Sequence, residues 1–253
     1  LFKIHGFNQD GDMPQVFYAN AFTPGVKGLR SGFDEEVLSH DAPAGFTMDQ
    51  FGASAKVDYD FGAATLTSIT SYDTVDSFSQ ADIDGGLQGG PEAIGALGGQ
   101  AFFSVSSGDG LSDHSQFTQE LRVSGERDNL FYQVGFYYFD EDITVDSSDF
   151  ANTGVAVNLT QVRQKTESAA LFGQIEYDLT DRFSMIVGMR YTDDEKDLEV
   201  IPGAGSTAPA ARIADDDAYF SYELAGNYEV NTEWSVYGRV ATGSRGPVTL
   251  GRF

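Results

Sequence analysis

The segment 169–196, AALFGQIEYDLTDRFSMIVGMRYTDDEK, alternates apolar and polar residues, turns at Thr180-Asp181-Arg182, and then alternates again. A repeat of two is the repeat of a β-strand, whose successive side chains leave on opposite sides. The same pattern recurs in 51–61 with 64–76 across Gly62-Ala63, in 115–125 with 130–142 across a turn at 126–129, and in 218–230 with 234–245 across Asn231-Thr232-Glu233. Turns this short, built from Gly, Asn and Asp, make antiparallel hairpins. Long connections over 7–50, 77–115, 140–164 and 193–217 separate the hairpins.

That rhythm constrains the fold more than any single motif does. Soluble domains join most elements with about 4–6 residues, so large loops on one side only are unusual there. A transmembrane β-barrel combines short turns on one side, long loops on the other and strands of about 9–11 residues. The faces sort accordingly. Leu171, Ile175, Val187, Met189, Tyr222 and Leu224 share one register, with aromatics such as Tyr59, Tyr177, Phe183, Tyr228 and Trp234 near the strand ends. Lys56, Asp58, Glu120, Arg122, Glu176, Arg190, Glu223 and Arg239 occupy the opposite register, among Ser, Thr, Gln and Gly. The apolar register is expected to face lipid and the charged one a lumen. The second strand is less tidy, because Ser68 and Thr70 fall on the apolar register. A soluble β-sandwich or propeller also alternates, but would not confine its large loops to one side.

Composition fits this reading. Acids outnumber bases 39 to 15 in 253 residues, for a formal charge of -24, which speaks against nucleic acid because little is available to neutralise phosphates. The four connections hold 25 acids and 5 bases, so the charge belongs to what are expected to be acidic extracellular loops. There are 29 glycines, 20 Phe and 12 Tyr but no cysteine, which removes disulfides, zinc-thiolate sites and thiol nucleophiles together. No apolar run reaches the length of about 18 residues that a transmembrane helix needs, and no signal-peptide pattern opens the sequence.

Three stretches, FTQELRVSGERDN, QKTESAALFGQIEYDLTDRFSMIVGMRYTDDEK and YELAGNYEVNTEWSVYGRVATGSRGP, resemble the barrel of TonB-dependent outer-membrane receptors. The resemblance runs over about 51–246 and is densest over 116–196 and 219–247. It implies an all-β, antiparallel barrel of about 22 strands closed by an N-terminal plug, importing scarce nutrients with energy from the TonB complex. Eight strands plus a stub would be one part of such a barrel. The expectation is therefore that 1–253 is a partial barrel domain, with the plug and the remaining strands outside this chain. No TonB box is seen, and Ser244 stands where the family places an aromatic before Arg245-Gly246-Pro247. The implied partners are outer-membrane lipid and lipopolysaccharide, the TonB complex, the plug and a small-molecule nutrient such as a ferric siderophore, a cobalamin-like cofactor or an oligosaccharide. A complete eight-stranded barrel is a weaker fit because Pro247 and Gly251 interrupt the last stretch. A passive porin and an adhesive outer-membrane protein share the alternation.

No enzyme is expected. His5, His40 and His114 lack partners at metal-ligand spacing and read as surface or loop residues. The glycines of 85–100 lack the Lys-Ser/Thr ending of a phosphate loop. Asn8–Met13, Asp193–Glu195 and Asp215–Asp217 are rich in oxygen ligands for calcium or magnesium but miss the EF-hand spacing, so they read as solvated acidic loops and no cofactor is expected. The lumen-facing charges Glu120, Arg122, Glu176, Arg190, Glu223 and Arg239 remain as candidate substrate-binding residues. Counting across the short turns puts Arg122 opposite Gln133, Glu176 opposite Ile186 and Ala225 opposite Arg239, with Glu223 diagonal to Arg239. Neighbours of this kind also serve as structural ion pairs or contacts to a plug.

Overall fold

The computed structural model describes residues 1–12, 27–28, 31, 44–82, 106–150 and 156–246. These form nine strands: β1 (Phe2–Gly11), β2 (Gly45–Asp60), β3 (Thr65–Asp82), β4 (Ser106–Arg127), β5 (Leu130–Phe150), β6 (Ala156–Thr180), β7 (Phe183–Pro202), β8 (Ala211–Glu229) and β9 (Ser235–Ala241). They pair in sequence order as one antiparallel sheet, the simplest outcome when consecutive strands are joined by tight turns. Among the described residues no helix or second sheet packs on either face.

The tight turns set the register. Gly62 adopts φ 86°, its N–H donates to Asp60 Oδ1 at 2.6 Å, and Phe61 N–H donates to Ala64 O at 2.9 Å. Asp128 adopts φ 53° in a two-residue turn between Arg127 and Leu130, and the Asn129 amide donates to Asp178 O at 2.7 Å, tying this turn to β6. Asn231 Oδ1 accepts from the N–H groups of Glu233 and Trp234, both at 2.9 Å, which shapes the last reversal.

Direct pairing keeps the apolar register continuous across strands: Phe136 with Leu171, Leu171 with Tyr191, and Tyr191 with Phe220. Leu171 is 60% exposed, Met189 55% and Leu224 49%, whereas the buried apolar residues Ala170, Leu198, Val200 and Ala225 all project from the opposite face. So extensive an apolar surface with no protein layer on it calls for an apolar solvent. Two aromatic lines bound it, one with Tyr177, Phe183 and Tyr228, the other with Phe117, Tyr138, Tyr191 and Phe220. Within β7 and β8 the lines are eight residues apart, about 26 Å along a strand, or about 20 Å across a bilayer once a tilt of about 40° is applied.

The strands do not stop at the second aromatic line. Strands β4 to β8 have 19 to 25 residues each, so two of the expected long connections, 140–164 and 193–217, are mostly paired strand. Asp193–Glu195 and Asp215–Asp217 lie in β7 and β8, with Asp194 opposite Asp217 and Glu195 opposite Asp216. Beyond the girdle both faces meet water, and the lipid-facing register turns charged without leaving the ladder. There Arg163 Nε donates to Asp142 at 2.9 Å, joined by Lys165 at 3.4 Å, and Arg212 Nε donates to Asp197 Oδ2 at 3.0 Å. These arginine hydrogen bonds are the main reason that both carboxyls sit below their ordinary pKa. The glycine-rich stretch 85–100 and His40 lie outside the described residues.

Candidate functional site on the polar face

All six charged candidates fall on the polar face, in four adjacent cross-strand rows, of which the one nearest the tight turns holds Glu176, Ile186, Ala225 and Arg239. One row runs Asp58, Thr67, Arg122, Gly135, Phe172, Arg190, Ser221. The next row away from the tight turns carries Lys56, Glu120, Tyr137, Ala170 and Thr192, and the next toward them Gln133, Gln174, Gly188 and Glu223.

Two expected registers hold: Glu176 faces Ile186 and Ala225 faces Arg239. Arg122 does not face Gln133. It faces Gly135, two residues further on, because the β4–β5 reversal takes only Asp128-Asn129 and the polar residues before it belong to the strand. Arg122 turns instead to Glu120 on its own strand, Nη1 to Oε1 3.4 Å. The diagonal Glu223–Arg239 pair forms as a fork, with Arg239 Nε donating to Oε1 at 2.7 Å and Nη2 to Oε2 at 3.1 Å. Lys56 lies 3.2 Å from Asp58, which also accepts from the Thr67 hydroxyl at 2.7 Å.

Arg190 is placed differently. Its guanidinium carbon lies 5.6 Å from the Tyr137 ring centroid and 5.9 Å from that of Phe172, within range of a cation–π attraction. Its Nε donates to Thr192 Oγ1 at 3.0 Å, and Thr192 is 2% exposed. Gly135 makes room for this stack, since a Cβ there would run into the Phe172 ring. Next to it an open depression of about 260 Å³ is lined by Phe172, Gln174, Arg190, Ser221, Glu223 and Arg239. Reading charges alone missed Tyr137 and Phe172. The available signal was the run Phe136-Tyr137-Tyr138-Phe139, which must place aromatics on both faces of a strand.

Nearer the far end of the strands, His5 Nε2 lies 3.1 Å from Asp73 and His114 Nε2 lies 3.6 Å from Glu141. Both histidines are therefore strand residues facing carboxylates, and the loop assignment is corrected for them. Among the described residues no group of three or more His, Asp or Glu is arranged to hold a metal ion.

The family model described as TonB dependent receptor-like, beta-barrel, matches residues 4–253. No curated protein matches the chain by sequence. Among solved structures, the ferric yersiniabactin uptake receptor FyuA from Yersinia pestis superposes with a TM-score of 0.61 at 16% identity, over 78% of this chain and 28% of that one. The open form of the ferric-catecholate import receptor Fiu from E. coli K12 gives 0.61 at 12% identity, over 97% and 44%. The siderophore receptor PiuA from Acinetobacter baumannii gives 0.59 at 12% identity, over 95% and 39%. The chain spans less than half the length of each of these receptors.

Proposed function

Because the chain belongs to the TonB dependent receptor-like β-barrel family of the bacterial outer membrane, we propose that residues 1–253 are one part of a barrel that actively imports a scarce nutrient. The observation that carries this reading is the division of one sheet into a face with Leu171, Met189 and Leu224 exposed and a face bearing Glu120, Arg122, Glu176, Arg190, Glu223 and Arg239. Lipid covers the first face and an enclosed lumen the second.

In this reading an N-terminal plug and the remaining strands complete the receptor, and TonB supplies the energy. The six charges line the lumen, where they meet the nutrient or the plug. The nutrient is a ferric siderophore, a cobalamin-like cofactor or an oligosaccharide. Two of the structural neighbours are named for ferric chelates, but identities of 12–16% carry the fold and not the cargo. The acid excess disfavours strongly anionic nutrients at the mouth through repulsion.

Uptake of labelled candidates by cells carrying the full-length protein tests the proposal. Loss of uptake when TonB is deleted is the expected result. Uptake that persists without TonB, together with steady conductance in planar bilayers, would mean a passive porin.

A further inference from the structure

Between the two aromatic lines most charges on the polar face neutralise one another inside the sheet: Lys56 with Asp58, Arg122 with Glu120 and Arg239 with Glu223. Arg190 has no carboxylate within 4.0 Å among the described residues. It is nevertheless held in place, with Nε fixed by the buried Thr192 hydroxyl and the cation set over two rings. Among the described residues its Nη1 and Nη2 groups have no acceptor. Among the same residues Glu176 also lacks a counter-ion, but it has no aromatic platform and no fixing hydrogen bond.

A guanidinium so arranged suits an oxyanion that offers two oxygens side by side. Two parallel N–H donors match the two oxygens of a carboxylate. The rings and Thr192 have already ordered a side chain that otherwise gives up several rotors on binding. Gly135 contributes by leaving the space into which Phe172 leans.

We propose that Arg190, on its Tyr137–Phe172 platform, is a carboxylate-binding seat of the lumen. This rests on the reading of the polar face as a lumen. The carboxylate comes either from an acidic side chain of a protein segment filling the lumen or from a solute passing through it.

Phenylglyoxal labelling of the purified full-length protein, mapped to Arg190 by mass spectrometry with and without benzoate, separates the two sources. A companion assay records planar-bilayer conductance for the unaltered protein, Arg190→Lys and Arg190→Gln. If a protein segment supplies the carboxylate, Arg190 resists labelling without additive, and Arg190→Gln raises leak conductance at least tenfold while Arg190→Lys raises it less. If a solute supplies it, Arg190 is labelled readily, benzoate slows labelling at least tenfold, and Phe172→Leu removes that protection. Ready labelling that benzoate does not slow would overturn the seat. So would resistance to labelling combined with unchanged conductance in Arg190→Gln. The labelling arm needs no variant, so a substitution that fails to fold leaves the proposal testable. Steady conductance of the unaltered protein would count against active import while leaving the labelling result to decide the seat.

Discussion

His5 on β1 and Asp73 on β3 approach to 3.1 Å although β2 runs between them. Gly52 of β2 stands directly opposite both, and without a side chain there the two reach across the gap. A Cβ at Gly52 would lie inside the imidazole and the carboxylate. Gly52→Ala is expected to push the pair apart and to cost about 0.5–1 kcal/mol, because both side-chain ends are part-exposed and can swing aside. Urea unfolding in lipid vesicles measures this, and a midpoint unchanged from the parent would contradict it.

The assignment of faces predicts an asymmetry between neighbouring residues. Ile175→Arg or Val187→Arg, directly paired midway between the aromatic lines, puts a charge in hydrocarbon and is expected to cost roughly 2–4 kcal/mol, whereas Gln174→Arg enters water and costs far less. The same unfolding assay checks all three, and equal costs would reverse the assignment.

Ser68, Thr70 and Gln119 are polar on the lipid-facing register, and they satisfy one another. The Thr70 hydroxyl donates to Gln119 Oε1 at 2.6 Å, and Gln119 Nε2 donates to Ser68 Oγ at 3.1 Å and to the Glu120 carbonyl at 3.0 Å. Breaking such a cluster costs more the more polar atoms it leaves unpaired, because the medium offers no substitute. Gln119→Leu, which strands the Thr70 and Ser68 hydroxyls, is therefore expected to destabilise by about 1–2 kcal/mol and Thr70→Val by about 1 kcal/mol, with the double variant costing less than the sum of the two. A double-mutant cycle reads the coupling directly.

Asp142 lies past the girdle, and its pKa is lowered chiefly by hydrogen bonds from Arg163, with Lys165 adding to the effect. A depressed carboxylate pKa stabilises the folded state at all pH values above the unfolded pKa of about 3.9, and that contribution is lost as the pH falls through the lower folded value. Unfolding below about pH 4 is thus expected to be less steeply pH-dependent in Asp142→Asn than in the parent, with the variant less stable at neutral pH. Parallel acid titrations of the two proteins provide the measurement, and superimposable curves would assign no role to the Asp142–Arg163 pair.

The hairpins could be read from the sequence because lipid on one face and water on the other impose a strict alternation, as in Leu171, Gly173, Ile175 and Tyr177. The alternation fades once water lies on both sides. For that reason Asp142–Asp146 and Asp193–Glu199 looked like loop although they are paired strand. The Arg190 platform was hidden for another reason: Tyr137, Phe172 and Arg190 lie on β5, β6 and β7, and only the register brings them together. Two registers could be counted across the turns, but that of β4 with β5 could not, since any of Glu126, Arg127, Asp128 or Asn129 is an acceptable turn residue.

What decides that last register is the backbone at Asp128. Its φ of 53° lies in the left-handed region, which lets the chain reverse in two residues with the twist that a hairpin prefers. Asp tolerates this conformation better than most residues, Gly adopts it freely, and a β-branched residue resists it. Asp128→Gly is therefore expected to be neutral or slightly stabilising. Asp128→Val should cost about 1–2 kcal/mol and favour a longer turn. Lengthening the turn to 126–129 would slide Arg122 from Gly135 toward Gln133 and Ser124 from Gln133 toward Phe131, so disulfide trapping between cysteines at 124 and 133 reports the slip. Efficient cross-linking in Asp128→Gly and reduced cross-linking in Asp128→Val are expected. Equal cross-linking in both would show that packing along the strands, and not this residue, fixes the pairing.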